Sequence, residues 1–217
     1  MLCMLKVGLT GGIACGKSYT LKELQRHGAY TIDADAIVHQ LMLPGHPGYH
    51  KVVEAFGTEF LNSDSYIDRR KLANLVFSDP AARQKLNEII HPLVFAEEKR
   101  QVEEAELIQR RTPMVVVDAA LMIEAGSYRN YDVILMVYAR PEVQLMRLML
   151  RDQLDAEDAL KRIASQMALL EKIKYADYVI ENSGKLSNTS EQVTHTFRDL
   201  VFRYEENDFE GSWKLGN

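Results

Sequence analysis

The sequence predicts an α/β protein built on a parallel sheet with helices on its faces. Short apolar runs of strand length alternate with helical patterns along the chain, which is typical of a doubly wound sheet. The first run, Val7–Thr10, leads into a helical pattern over Lys17–His27, and Val133–Val137 is a later run of the same kind. The stretch from about 48 to 111 has no convincing strand, which predicts a helical insertion between the second and third strands.

The remaining elements follow from apolar runs, helical periodicity and helix-breaking residues. Gly28 ends the first helix because glycine readily takes the left-handed conformation found just after helices. Further strands are predicted at Ala29–Ile32, Met114–Val117 and Tyr178–Ile180. Further helical patterns lie at Ala36–Leu43, in pieces between Val52 and Ile90, from Leu93 to Arg111 with Pro92 as the first helical residue, and at Pro141–Leu150, Asp155–Leu170 and Glu191–Tyr204.

The length of 217 residues suits one domain with insertions better than two independent domains. We expect residues 1–217 to form that domain, with a helical insertion at about 36–112 and a helix-loop-helix at about 141–170. The polar tail, 206–217, is expected to be loose, as chain termini often are.

Composition narrows the classes of function and location. The net charge is −5, from 26 basic and 31 acidic residues, and an acidic protein is a poor candidate for nonspecific nucleic-acid binding. Two cysteines, Cys3 and Cys15, do not make a disulfide scaffold and indicate a reducing cytoplasm. The apolar runs fall short of the ~20 residues of a membrane span, and the N-terminus has no room for a signal-peptide core. The oligomeric state is left open.

One motif carries most of the chemistry. Residues 11–18 read Gly-Gly-Ile-Ala-Cys-Gly-Lys-Ser, which satisfies G-x-x-x-x-G-K-[ST] after a predicted strand and at the start of a predicted helix. The glycines let consecutive backbone N–H groups point at phosphate oxygens, and the helix N-terminus attracts the same anion. Lys17 would reach the β- and γ-phosphates, and the Ser18 hydroxyl would bind Mg²⁺. The motif therefore predicts a P-loop NTPase.

Among P-loop proteins, the rest of the chain favours a small-molecule kinase. The guanine-reading Asn-Lys-x-Asp sequence of GTPases and the Leu-Ser-Gly-Gly-Gln element of ABC proteins are both missing from the sequence. A kinase also needs a carboxylate near the acceptor and arginines that close over the transferring phosphoryl group. A nucleoside or nucleotide kinase remains an alternative, as does a P-loop protein that binds nucleotide as a switch or scaffold without transferring phosphate.

Carboxylates and arginines that suit these roles also have structural explanations. Asp33 and Asp35 end the second predicted strand, where parallel sheets bind ligands, and they would share one side of an extended segment. Aspartates are equally common as caps before a helix. Arg147, Arg151 and Arg162 lie in the helix-loop-helix and are either phosphate-binding groups or part of a solvated face.

Two further residues have the same ambiguity. Asp118 at the end of the third strand is either an acid that holds Mg²⁺ through water or a strand-end cap. His91, from the residues alone, is a helix-boundary residue before Pro92. No His/Cys cluster in the sequence has the spacing of a zinc site.

From Val7 to about Gly184 the residues resemble one family, the dephospho-CoA kinases, and the matches fall in the family's order. The matching motifs are Gly8-Leu9-Thr10-Gly11-Gly12-Ile13 with Gly16-Lys17-Ser18, Asp33 with Asp35, Pro44-Gly45, Phe56-Gly57, Asp68-Arg69 with Leu72, His91-Pro92, Leu121-Met122-Ile123-Glu124, Gln144 with Arg147 and Arg151, Ser165-Gln166, Ala176-Asp177 and Asn182-Ser183-Gly184.

The resemblance implies a nucleotide-kinase-like P-loop core that phosphorylates the ribose 3′-hydroxyl of dephospho-CoA with ATP and Mg²⁺, giving CoA and ADP. It implies that the insertion binds the CoA moiety and that residues 141–170 form a helical lid. The implied catalytic residues are Asp35, Lys17 and Arg151, and the implied acceptor-binding residues are Asp33, Arg69, His91 and Glu124. The implied ATP-binding residues are Gly11, Gly12, Ile13, Ala14, Cys15, Gly16, Lys17, Ser18, Tyr19, Arg147 and Asn182, with Ser18 as the metal ligand.

Four positions depart from the family's pattern. Ala120 replaces a proline, Ala14 and Cys15 replace a Gly-Ser type pair, and Tyr19 replaces a Ser or Thr hydroxyl, which leaves the affinity for ATP open. Cys15 precedes the helix N-terminus and lies near Lys17, and both features lower a thiol's pKa. We therefore expect alkylation to inactivate the empty enzyme and Mg-ATP to protect it, whereas a thiol that points into the protein would be inert.

Overall fold

Five strands form one sheet in the computed structural model, which describes residues 4–108 and 114–206. The strands are β1 (Leu5–Gly11), β2 (Tyr30–Asp33), β3 (Met114–Asp118), β4 (Val133–Tyr138) and β5 (Tyr178–Glu181). Their order is β2-β3-β1-β4-β5, with β1 parallel to both β3 and β4, and β4 parallel to β5. The predicted α/β class with a parallel sheet is confirmed.

The central strands β1, β3 and β4 are buried along almost their whole length, which explains why their sequences are continuous apolar runs. The hydrophobic core lies between these strands and the helices that pack on the sheet. Leu9 and Leu135 of the sheet share one apolar cluster with Leu24, Val193 and Leu200, which lie on two helices that pack against each other. This core holds the carboxyl end of β1, where the phosphate-binding motif begins.

The helices in the described residues are α1 (Lys17–Arg26), α2 (Ala34–Leu41), α3 (Pro47–Phe56), α4 (Arg69–Ser78), α5 (Pro80–Ile108), α6 (Pro141–Asp152), α7 (Ala156–Ala164), α8 (Leu169–Lys172) and α9 (Leu186–Glu205). Side-chain caps fix several of their starts. Asp68 accepts a hydrogen bond from the N–H of Lys71 at 3.0 Å at the start of α4. Asp155 accepts one from the N–H of Asp158 at 2.8 Å at the start of α7. Each cap satisfies a donor that the first helical turn leaves unpaired.

The predicted start of the long helix is wrong. Pro92 does not open a helix but lies inside α5, which begins at Pro80. A proline within a helix removes one backbone donor and is tolerated here because α5 continues for several turns on both sides. The predicted end of this helix, Arg111, lies outside the described residues.

Two later helix predictions also need correction. The pattern predicted as one helix over Asp155–Leu170 is two helices, α7 and α8, because the backbone at Ala168 is extended (φ −57°, ψ 139°). The last helix, α9, begins at Leu186, earlier than the predicted start at Glu191. In both places the helix boundary lies among polar residues, which carry no apolar periodicity from which it could be predicted.

The described part of the chain divides into two compact units. The first comprises Met1–Ile32 and Ala105–Asn217 and contains nearly the whole sheet, whereas the second, Asp33–Glu104, is mainly helical. The insertion predicted at about 36–112 remains a prediction as a substrate-binding element. Of the tail predicted to be loose, 206–217, all but the first residue lies outside the described residues. Across residues 4–108 and 114–206, no helix has both the length and the apolar character needed to cross a bilayer.

Candidate active site

The phosphate-binding motif forms the tight connection between β1 and α1. Two of its residues have left-handed backbone angles, Ala14 with φ 58° and Gly16 with φ 95°. Glycine is needed at position 16 because a Cβ there would lie 1.9 Å from Nδ2 of Asn182. A Cβ on Gly12 would lie 2.7 Å from Nε2 of Gln144. The motif glycines thus allow side chains from other elements to pack directly on the loop.

A cleft of about 520 Å³ opens beside this loop within the first unit. Its volume falls within the usual range for small-molecule sites. Lys17 and Ser18 line it together with four other loop residues and with Arg147, Arg151 and Gln166; the four are Gly12, Ile13, Ala14 and Gly16. Another cavity, of about 580 Å³, is lined by residues of α9 and has no phosphate loop, so the chemistry points to the first cleft.

Lys17 forms an ion pair with Asp118 at the end of β3. Their side chains are 18% and 13% exposed, so the pair lies in the wall of the cleft and not in bulk water. Neither role proposed for Asp118 from the sequence includes this contact. The structure shows that Asp118 holds the cation that the motif directs at phosphate.

The oxygen groups beside the loop suit Mg²⁺. The Ser18 side chain is exposed in the first turn of α1, and the Asp118 carboxylate lies at the same loop through its contact with Lys17. Mg²⁺ is usually held by one or two protein oxygens, substrate phosphates and waters. No group of three or more His, Cys, Asp and Glu side chains in the described part of the chain could hold a metal ion by itself.

The three predicted arginines divide between two contacts. Nη1 of Arg147 donates to the carbonyl oxygen of Asn182 at 2.7 Å. Arg151 donates to both carboxylate oxygens of Asp152, at 2.7 and 3.2 Å, and Arg162 donates to the same carboxylate at 2.8 Å. The hydrogen bonds from Arg151 lower the pKa of Asp152. The structure thus brings Arg151 and Arg162 together on one aspartate beside the cleft.

Two predicted ATP-binding side chains make contacts within the protein. Asn182 is 2% exposed; its Nδ2 donates to the carbonyl oxygen of Cys15 at 2.8 Å, and its Oδ1 accepts from the hydroxyl of Thr189 at 2.8 Å. The hydroxyl of Tyr19 lies 2.7 Å from Oγ of Ser190 and joins α1 to α9. These side chains stabilise the loop from behind, and whether they also contact ATP remains a prediction.

The expectation of a reactive Cys15 is wrong in its physical basis. Cys15 is fully buried, and burial raises the pKa of its thiol above the ordinary value. Hydrogen bonds with the backbone of Gly12 and Ala139 and the charges of Lys172 and Arg147 lower that pKa, but by less than burial raises it. The thiol points into the protein and stays neutral.

The second unit contains the aspartates predicted as catalytic or substrate-binding groups. The helix that follows them, α2, begins at Ala34 and not at the predicted Ala36. Asp33 is its N-cap, since Oδ1 accepts from the N–H of Ala36 at 2.9 Å. Asp35 is exposed in the first helical turn, so the two aspartates do not lie on an extended segment as expected.

Two more predicted acceptor-binding residues lie in the second unit. Nη1 of Arg69 is 3.0 Å from Nδ1 of His39. His91 lies inside α5 and not at a helix boundary, and its ring centroid is 5.8 Å from that of Phe95. Partial burial lowers the pKa of His91, which keeps the imidazole neutral at pH 7.

Glu124, the remaining predicted acceptor-binding residue, is paired with a lysine that no sequence pattern singles out. Lys172 is fully buried and donates to Oε1 of Glu124 at 2.8 Å and to the carbonyl oxygen of Ala120 at 3.0 Å. The N–H of Met167 donates to the same oxygen of Glu124 at 3.2 Å. A buried lysine needs such partners, and together they fix the segment that follows β3.

Two glutamines also contact the phosphate loop although the sequence indicated no role for them. Gln144 and Gln166 both bind the backbone of Ile13, each at 2.8 Å. The only signal in the sequence was their place in matched motifs, where Gln144 lies one helical turn before Arg147.

With this geometry established, comparison with known proteins decides the family. A family model described as Dephospho-CoA kinase matches residues 5–188. The chain belongs to the dephospho-CoA kinase family. The resemblance drawn from the sequence motifs is confirmed.

Individual relatives agree with this assignment. A dephospho-CoA kinase from Syntrophus aciditrophicus (strain SB) is 42% identical over 198 residues, which cover 91% of this chain and 84% of that protein. Among solved structures, TT1252 from Thermus thermophilus has a TM-score of 0.74 at 30% identity and covers 91% of this chain and 98% of its own. A dephospho-CoA kinase from Campylobacter jejuni has a TM-score of 0.63 at 28% identity, covering 90% and 96% respectively. The predicted P-loop kinase fold is therefore confirmed.

Proposed function

We propose that this protein transfers the γ-phosphate of ATP to the 3′-hydroxyl of dephospho-CoA, giving CoA and ADP as the last step of CoA synthesis. The observation that carries the proposal is the cleft in which the phosphate loop, Lys17 and two arginines converge, in a chain of the dephospho-CoA kinase family. The proposed partners are the two small-molecule substrates, and the proposed location is the cytoplasm. Nucleic acid and membrane have no part in the proposal.

The protein's own ion pairs suggest how ATP is received. Phosphoryl transfer depends mainly on positioning and on stabilising charge at the transferring group. Lys17 would exchange Asp118 for the β- and γ-phosphates, and Arg151 would exchange Asp152 for the γ-phosphate. Both exchanges are favourable because phosphate offers these cations more charge and more acceptor oxygens than a carboxylate does.

The residues beside the loop fit Mg²⁺ as cofactor. The Ser18 hydroxyl, and Asp118 through water, would hold the ion against the phosphates. When bound, the ion would neutralise charge on the phosphate oxygens. Movement of Lys17 to the phosphates would release the Asp118 carboxylate for this role.

Asp35 is the proposed base. Its carboxylate would accept the 3′-hydroxyl proton while the new O–P bond forms, and the bond between the γ-phosphorus and the β,γ-bridging oxygen breaks to leave ADP. Asp33, His91 and Glu124 are proposed to bind dephospho-CoA. Arg69 is proposed to bind it as well and suits its pyrophosphate, because a guanidinium pairs with phosphate through two hydrogen bonds.

Two larger elements complete the proposal. The second unit would serve as the acceptor-binding insertion, and residues 141–170, which include α6 and α7, would form the lid. The support for a lid is that α6 carries both Arg147 and Arg151 at the edge of the cleft. Closing such a segment would exclude water and prevent wasteful hydrolysis of ATP.

Transfer of labelled phosphate from ATP, with the product identified by mass, tests the function. We expect CoA to form only when dephospho-CoA is present. Transfer to a nucleoside or nucleotide but not to dephospho-CoA would overturn the acceptor, and nucleotide binding without any transfer would overturn the enzyme class.

The two aspartates provide a matched pair of variants for the base. Asp35→Asn should lower turnover by ~10²-fold or more with ATP affinity retained, because it removes the proton acceptor. Asp33→Asn should retain the helix cap, since asparagine caps about as well as aspartate, and should act mainly on the KM for dephospho-CoA. Loss of turnover in Asp33→Asn alone would assign the base to Asp33.

A further inference from the structure

Ile13, in the middle of the phosphate loop, has both of its backbone polar groups bound by side chains from distant parts of the chain. Its N–H donates to Oε1 of Gln166 at 2.8 Å, and its carbonyl oxygen accepts from Nε2 of Gln144 at 2.8 Å. Gln144 is 4% exposed, and Gln166 is partly buried in the wall of the cleft. Together these bonds fix the peptide groups on both sides of Ile13.

The fixed residue precedes the strained point of the loop. Ala14 has φ 58°, a left-handed conformation that is unfavourable for any residue with a Cβ. Glycine would adopt it without strain, and this chain has alanine there. The loop therefore needs an external constraint to keep Ala14 in this conformation, and the two glutamines supply one at the neighbouring residue.

One glutamine lies on a helix that carries predicted arginines, and the other lies just after such a helix. Gln144 is on α6, one turn before Arg147 and two turns before Arg151. Gln166 follows the end of α7, which carries Arg162. The hydrogen bonds to Ile13 thus connect the shape of the phosphate loop to the placement of the helices proposed as the lid.

We infer that Gln144 and Gln166 are positioning residues that hold Ile13, and through it the left-handed turn at Ala14, in the shape that receives the phosphates of ATP. Neither glutamine needs to touch the reacting atoms. The inference rests on the proposed function where it concerns turnover. Its prediction for ATP binding does not depend on which acceptor the enzyme phosphorylates.

Gln166→Met tests the inference because methionine keeps the length of the side chain but has no comparable acceptor. We expect the Kd for ATP, from titration with a fluorescent ATP analogue, and the KM for ATP each to rise about tenfold, as loss of one such hydrogen bond implies. The KM for dephospho-CoA should stay within about twofold, since the residues proposed to bind the acceptor lie outside this loop. Gln25→Met, at an exposed glutamine in the last turn of α1, is the control and should change none of these three constants.

The decisive measurement repeats Gln166→Met in an Ala14→Gly background. Glycine needs no help to hold a positive φ, so the rise in Kd for ATP should shrink to about threefold or less. Gln144→Met should behave in the same way and provides a second variant. A tenfold rise in both backgrounds, or an equal rise in the KM values of both substrates, would overturn the inference. Failure of the wild type to phosphorylate dephospho-CoA would overturn the proposed function, and the nucleotide titrations would still decide the role of the glutamines.

Discussion

Replacement of Asn182 by alanine should destabilise the protein and loosen the phosphate loop at the same time. The amide of Asn182 is buried and joins the carbonyl of Cys15, within the loop, to the hydroxyl of Thr189, on α9. Thr189 is itself 1% exposed, so water cannot readily replace the lost amide. Alanine would leave one buried acceptor and one buried donor without a partner.

The expected magnitude follows from those two groups. A buried polar group that loses its partner costs about 1–3 kcal/mol, and two of them with partial relaxation give about 3 kcal/mol. In a chain of this length, each kcal/mol lowers Tm by about 2–4 °C, so Tm should fall by about 6–12 °C. Scanning calorimetry measures this directly. Asn188→Ala, at an exposed position of α9, is the matched control and should change stability by less than about 0.5 kcal/mol.

The same variant separates two roles for Asn182. If the side chain acts by supporting the loop, Asn182→Ala lowers Tm and weakens ATP binding together. If it acts instead by contacting ATP, as the family resemblance implies, ATP binding weakens and Tm stays unchanged. A Tm within about 2 °C of wild type would refute the reasoning from burial and hydrogen bonding.

Three further predictions concern the cleft and the phosphate loop beside it. Lys17→Ala should fold and lose ~10²-fold or more in turnover, because it removes a cation aimed at the charge of the transition state, whereas Lys22→Ala, at an exposed position of α1, should not. Arg151→Lys should also lower turnover, since a point charge cannot span phosphate oxygens as a planar fork does; equal activity of the two forms would contradict a phosphate-binding role. Cys15 should resist alkylation in the folded protein with or without Mg-ATP, and peptide mapping should find it modified only after denaturation. Because burial raises its pKa, a change from pH 7 to pH 8 should not unmask it, and modification of the native protein in that range would show the thiol to be accessible.

The elements that the sequence predicts well are those whose signal is local. The central strands β1, β3 and β4 are continuous apolar runs because their residues are buried on both faces, and the phosphate loop has all its defining residues within 11–18. The start of α5 is not predicted correctly because proline is only statistically preferred in the first turn of a helix. Pro92 instead lies inside α5, where the long helix tolerates the loss of one backbone N–H donor.

The contacts that support the loop could not be predicted because they join residues far apart in sequence. The bond between Gln144 and Ile13 spans 131 positions, and that between Lys172 and Ala120 spans 52. Each depends on the order of strands in the sheet, which places β3 and β4 on either side of β1. The sequence shows that Gln144 belongs to a matched motif, but only the fold shows that its amide binds the carbonyl oxygen of Ile13.

Cys15 lies where electrostatics favour a thiolate, but its side chain points into the core. The thiol does lie next to the N-terminus of α1 and two residues from Lys17, as its position in sequence requires. The two side chains, however, lie in different places: Lys17 lines the cleft, whereas Cys15 joins the apolar core. The helix N-terminus and nearby cations lower the pKa of a thiol that is in contact with solvent. Here burial of the sulfur raises the pKa by more than those charges lower it. A small apolar residue at position 15 therefore serves packing, and the positive end of the helix remains available for phosphate.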